Sequence, residues 1–213
     1  MRKIKKLSEK QLHILEVAES LIAEKGFKGT SVREICSQAN INVAMISYYF
    51  GSKDKMMFHL YQYRVQKAKE NFSNFTQTIS SASPAMQMKE ILNFILGQIL
   101  KFNYFHGFVT NECHTAEPNK EFLRDFYALC VTKFEEVVQK GIVVGEFKKA
   151  VKPENLLATI LGTIIFSIRN REFYQAYLPE HNEEDYYQKL EERLKTHLYN
   201  TVFSLLGYET NDN

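Results

Sequence analysis

The sequence of 213 residues has no tryptophan, four prolines, nine glycines and three cysteines, and each scarcity excludes something. So few prolines and glycines, with no stretch of strict apolar–polar alternation, leave no material for a turn-rich all-β chain. Cys36, Cys113 and Cys130 are odd in number and unclustered, with no Cys-x-x-Cys, so neither a disulfide framework nor a zinc knuckle is implied. A reducing compartment suits them, and a cytoplasmic location is the expectation. The six histidines are scattered and none pairs with another four residues on. Glu112-Cys113-His114 offers three ligand types, but neighbours in sequence rarely chelate together, so no metal is expected. There is no Gly-x-Ser-x-Gly, no phosphate-cradling glycine loop and no carboxylate pair with a positioned histidine. The chain is therefore expected not to be an enzyme and to need no cofactor. Long apolar runs are missing too. The longest, 156–168, is interrupted by Thr159, Gly162, Thr163 and Ser167. A bilayer span needs about 20 apolar residues, and the amino terminus has no apolar signal core, so no membrane partner is expected.

What is present is ample core and an uneven charge. Hydrophobic residues make up 45% and aromatic ones 13%, the latter as 16 Phe and 12 Tyr, enough to fill one large domain or two small ones. The net charge of +2 conceals a division: residues 1–55 carry 10 Lys/Arg against 6 Asp/Glu, and the other 158 carry 17 against 19. A basic amino-terminal fifth on a slightly acidic body suits a chain that meets phosphates at one end only. A solvated tail of Arg2, Lys3, Lys5 and Lys6 would account for part of the same asymmetry.

Helical periodicity runs nearly throughout, so the fold class expected is all-α, with about nine or ten helices. A first helix over 8–25 buries Leu12, Leu15, Ala18 and Ile22 and ends at Gly26. Two short helices follow, then a long one over 53–80, broken by the Ser-Ser-Ala-Ser-Pro of 80–84. Further helices are expected over 85–103, to about 112 after a kink at Gly107, and over 121–140. Residues 113–118 read as a loop and 141–147 as a turn. Pro153 opens a helix to about 170, and a last one runs over 183–206 with Gly207 past its end.

Residues 30–55 are the most informative stretch, because two short helices joined by a tight turn can lay the second into a DNA major groove. Ser31-Val32-Arg33-Glu34 is a capping box, with Val32, Ile35, Cys36 and Ala39 on the buried side. Asn40, one of the few non-glycine residues that tolerates a left-handed backbone, stops the first helix. Ile41 plugs the turn, Asn42 caps the second helix, and Ile46, Tyr49 and Phe50 form its buried side. Val43, Ala44, Met45, Ser47 and Tyr48 remain outward, with no acidic residue to repel a phosphate backbone.

The capping box, the turn and Ile46-Ser47-Tyr48-Tyr49-Phe50-Gly51-Ser52-Lys53-Asp54-Lys55 resemble the DNA-binding domain of the tetracycline-repressor-like (TetR) family. The likeness extends back through Ile14-Leu15-Glu16-Val17-Ala18 and Glu24-Lys25-Gly26-Phe27, covering about residues 10–60. Asn40 stands where that family most often has glycine and keeps the backbone role. Ala44 and Ser47 depart on the reading face, so no relative's operator carries over. The resemblance implies a three-helix DNA-binding head with a helix-turn-helix (1–55) on a larger helical-bundle body for ligand binding and dimerisation (56–213). Its expected partners are a double-stranded DNA operator, a small-molecule effector of unknown identity and a second copy of the chain.

On that reading Val43, Ala44, Met45, Ser47 and Tyr48 face bases, with Asn42 at the start of the helix. Thr30, Ser31 and Lys53 hold the phosphate backbone near helix amino termini. The helix of 153–170 is apolar on more than one side, so Leu157, Leu161 and Ile164, with Leu194, Leu198 and Val202 of the last helix, are the candidate dimer interface. Phe94, Phe102, Phe105, Phe108, Phe126, Tyr127 and Phe166 are candidates to line an apolar or aromatic ligand pocket, or equally to be plain core. The function expected is a ligand-responsive transcriptional repressor. The alternative is an all-α small-molecule-binding or enzymatic protein whose three-helix head is only structural.

Overall fold

The computed structural model describes residues 7–102, 117–179 and 182–209. Among them there are nine α-helices and no strand: α1 (Glu9–Gly29), α2 (Val32–Gln38), α3 (Ala44–Phe50), α4 (Lys53–Thr78), α5 (Pro84–Lys101), α6 (Glu117–Val143), α7 (Pro153–Arg169), α8 (Arg171–Gln175) and α9 (Glu183–Leu206). The chain divides into two compact units, and the division falls inside α4, after Ala68, and again inside α6, after Phe122. The expected boundary at 55 falls in the first turn of α4. The packing boundary lies later because Met56, Met57, Leu60 and Tyr61, all essentially unexposed, belong to the amino-terminal unit.

In the head, α1 starts on Ser8, whose hydroxyl accepts from the Gln11 amide while the Gln11 side chain returns to the Ser8 amide. The expected break at Gly26 is there: its φ of 72° is non-helical, and one irregular turn carries the chain on to Gly29. Ile14, Leu15, Ala18 and Ile22 supply the buried stripe.

In the body, α5 packs against both α7 and α9. The last helix contributes Tyr186, Leu190, Leu194, Leu198, Val202 and Leu206, one residue per turn on a single buried stripe. Each such leucine contributes about 1.5–3 kcal/mol on burial. α6 is longer than the sequence implied at both ends. Its first turn includes Pro118, which a helix tolerates there because the missing N–H would have had no partner. At the other end the helix runs on through Gly141, where only glycine fits because the buried Phe147 ring lies where a side chain would stand. No helix among the described residues is long and apolar enough to cross a membrane.

Candidate nucleic-acid interface

The helix-turn-helix is assembled by local hydrogen bonds that the sequence specifies. Ser31 Oγ accepts from the Glu34 amide at 3.2 Å, and the Ser31 amide donates to Glu34 Oε2 at 2.8 Å. Those bonds, with the Lys25 ammonium at 3.2 Å, hold the Glu34 carboxyl down to about 2. α2 ends as Asn40 enters the left-handed region at φ 50°, and the Ile41 amide donates to the Cys36 carbonyl at 2.9 Å. Asn42 Oδ1 then accepts from the Ala44 amide at 2.9 Å, so Asn42 covers the first turn of α3 from two residues ahead. At the far end Gly51, at φ 84°, donates its amide to the carbonyls of Ile46 and Ser47. A residue with a Cβ is strained in that conformation. Ser52 Oγ accepts from the Lys55 amide and so starts α4.

The result is a two-turn helix with Ile46 and Phe50 buried and Val43, Ala44, Ser47 and Tyr48 exposed. Tyr48 is 79% exposed and stands edge-on to the half-buried Tyr49 at 5.0 Å. Asn42 and Ser31 are also exposed, and Met45 is half-buried.

Two of the expected backbone contacts are occupied inside the head. Thr30 is 1% exposed and its hydroxyl donates to the Gly26 carbonyl at 2.9 Å, so it closes the end of α1 instead of facing a phosphate. Lys53 is half-buried, and its ammonium donates to the carbonyls of Phe27 at 2.6 Å and Thr30 at 2.5 Å, above the Phe27 ring. A cation among the last carbonyls of a helix is well placed against the dipole. The sequence reading missed the exposed basic residues Arg33 on α2 and Lys55 on α4. Helical spacing could have found Arg33, which stands about 200° around α2 from the buried Ile35.

A second ion pair binds α4 to α1. Arg64 Nε donates to Glu19 Oε1 at 2.5 Å, and Nη2 reaches the other carboxylate oxygen. Glu19 is only 6% exposed. Breaking a buried pair of this kind by removing one partner costs about 3–5 kcal/mol.

Residues 14–60, the span of this head, match the tetR family of bacterial regulatory proteins. The chain is also similar to the "Probable HTH-type transcriptional regulator YttP" of Bacillus subtilis (strain 168), at 33% identity over 134 residues. That match covers 62% of this chain and 63% of the relative, just under two thirds of its length. The likeness to the tetR family is carried by the head. Among solved structures, a TetR/AcrR-family transcriptional regulator from Thermobifida fusca superposes with a TM-score of 0.71 at 23% identity, covering 91% of this chain and 98% of that one. AibR, solved in complex with isovaleryl coenzyme A and operator DNA, gives a TM-score of 0.63 at 19% identity, covering 94% and 100%. At these identities the likeness establishes the fold, a helix-turn-helix head with a helical body.

The remaining described candidates lie in the body. Of the six interface residues, Ile164, Leu194, Leu198 and Val202 are 0–2% exposed and Leu157 is 7%. All five belong to the intrachain core where α5, α7 and α9 pack on one another, and Leu157 also lines the outer side of α7. Leu161 is half-buried and lies on the outer side of α7 with Ala158, Gly162, Ile165 and Phe166. That side forms an open groove of about 630 Å³ with Tyr127 and Val131 of α6, and with Glu154 and Arg169 at opposite ends of α7.

Of the seven candidate pocket residues, the five described do not line one cavity. Phe94 stacks on Phe75 at 4.5 Å and meets Phe72, which also meets Phe126 edge-on at 6.3 Å; these rings are core packing. Phe102 ends α5. Tyr127 and Phe166 line the outer groove, Phe166 being 52% exposed. Two helical positions beyond the buried Ile164, it points about 200° away. Phe105 and Phe108 lie outside the described residues. Among the described residues no group of three or more His, Cys, Asp or Glu could hold a metal ion.

Proposed function

We propose that the chain is a ligand-responsive DNA-binding transcriptional regulator, a cytoplasmic repressor that binds a palindromic operator as a homodimer. The observation that carries this reading is the outward face of α3. It is exposed, free of acidic residues, and fixed at both ends on a buried three-helix core. Val43 and Ala44 offer apolar contact for thymine methyls, Ser47 bonds to either base type, and Tyr48 reaches a base or a phosphate. Asn42 and Ser31 are exposed beside this face, and Arg33 and Lys55 supply the positive charge for the phosphate backbone.

Two copies would meet through the outer side of α7. Ala158 and Gly162 permit close approach there, Leu161, Ile165 and Phe166 give apolar area, and an antiparallel crossing sets Glu154 of one α7 against Arg169 of the other. The effector binds in the body. α4 is one helix that begins in the head and continues past the unit boundary, so it is the element through which effector binding would bias the heads. That coupling requires an effector with different affinity for the two conformers. The relatives named above support the reading: one is named a transcriptional regulator, and another was solved with an acyl coenzyme A and operator DNA.

The test is selection from a random duplex library followed by two substitutions. The protein is expected to enrich an inverted repeat. Tyr48→Ala should weaken binding to the enriched duplex while shifting stability by less than about 0.5 kcal/mol, as for an exposed side chain. Tyr49→Ala should lower the melting temperature, its half-buried ring costing less than the about 3–5 kcal/mol of a fully buried aromatic. Early melting of Tyr48→Ala with normal melting of Tyr49→Ala would put the reading face on the other side of α3. No enrichment at all would refute the regulator reading.

A further inference from the structure

We propose that Arg64 and Lys53 are positioning residues for DNA binding: they set the angle of α3 by fixing the first three turns of α4 to α1, and neither touches DNA. This inference rests on the reading of α3 as the recognition helix. A helix of two turns cannot orient itself, since a segment that short is marginal without tertiary support. Its direction is set by what holds its ends. The carboxyl end of α3 passes through Gly51 and Ser52 directly into α4, so α3 inherits whatever constrains the start of α4.

Two anchors supply that constraint. Lys53, the first residue of α4, places its ammonium on the carbonyls of Phe27 and Thr30, where α1 ends. Arg64 lies three turns further on, about 16 Å along the axis. There it forms a two-pronged bond to Glu19, within α1. The two anchors therefore pair the start of α4 with the end of α1, and the third turn of α4 with an earlier turn of α1. Met56, Met57, Leu60 and Tyr61, buried between the anchors, hold α4 in the head, and the two anchors fix its direction at either end of that stretch. The planar guanidinium adds orientation to the second anchor, because both prongs must be met together. Lys53 engaged in this way holds the base of α3 in place of a phosphate.

The experiment uses a duplex that the full-length wild-type protein itself enriches from a random library, with affinity measured by fluorescence anisotropy at several salt concentrations, well below the melting temperature. The double variant Glu19→Leu with Arg64→Met replaces the ion pair by packed apolar groups, an exchange that buried pairs often tolerate without loss of stability. It is expected to melt close to wild type yet bind the duplex about tenfold more weakly, the scale on which residues without ligand contact modulate binding. The slope of log K against log salt should be unchanged, since no phosphate contact is removed. Arg64→Lys, which keeps the charge and loses one prong, should fall between the two. Lys53→Met should lose affinity with the wild-type slope. Should the double variant fail to fold, Arg64→Lys and Lys53→Met decide alone. Wild-type affinity in folded variants would reduce the anchors to ordinary stability contacts and overturn the proposal. A slope shallower by about one per site would instead make the altered side chain a phosphate ligand. If the wild-type protein enriches no sequence, the regulator reading fails first and this inference falls with it.

Discussion

Phe166→Glu is expected to give a folded monomer that has lost operator binding. The ring is 52% exposed in the isolated chain, so a carboxylate there disturbs little of the protomer's own packing. In a dimer formed through the outer side of α7, the same carboxylate would be buried without a partner, which costs several kcal/mol. Analytical ultracentrifugation should show a monomer at concentrations where wild type is a dimer. Affinity for a two-half-site duplex should fall by about 10²-fold or more, because the second head no longer binds as part of the same particle. Leu198→Glu makes the contrast. At 1% exposure it lies in the α5–α7–α9 core, and its charge should unfold the body rather than separate two intact protomers. A folded Leu198→Glu monomer beside a dimeric Phe166→Glu would return the interface to the inward stripe.

Gly141→Ala is expected to be the most damaging single-methyl change in the body. A Cβ built there would stand 2.0 Å from Phe147 Cδ2, and that ring is 2% exposed. The ring must leave its site, at a cost on the scale of deleting a buried phenylalanine, about 3–5 kcal/mol. Elsewhere in a helix the same exchange is favourable by up to about 1 kcal/mol. Gly97 in α5 is the control, since a Cβ there meets nothing within 4 Å. Thermal melts should therefore move in opposite directions, clearly down for Gly141→Ala and slightly up for Gly97→Ala.

The head was legible in the sequence because its signals are local. The Ser31–Glu34 box, the left-handed Asn40 and the Gly51 turn each involve residues within five positions of one another, and each is where the sequence indicated. The setting of Lys53 was not legible, because its partners are not local. The carbonyls that hold Lys53 come from residues more than twenty positions earlier, and nothing in the pattern around Lys53 announces them. In the body, periodicity showed that α7 is apolar on two sides. It could not say which side faces the same chain, since Leu161 and Ile164 are alike in residue type and differ only in azimuth. The aromatic residues fail as a pocket signature for a related reason: Phe94 in a ring stack and Phe166 at an open groove look the same in sequence.

The central claim is that two copies of this head read DNA through α3. Hydroxyl-radical footprinting of the wild-type protein on its enriched duplex tests it most directly. The account predicts two protected patches related by a two-fold axis, their centres about 34–36 Å or a multiple apart, with protection lost in Tyr48→Ala at concentrations that saturate wild type. One continuous or single-sided patch, or protection that survives Tyr48→Ala unchanged, would contradict it.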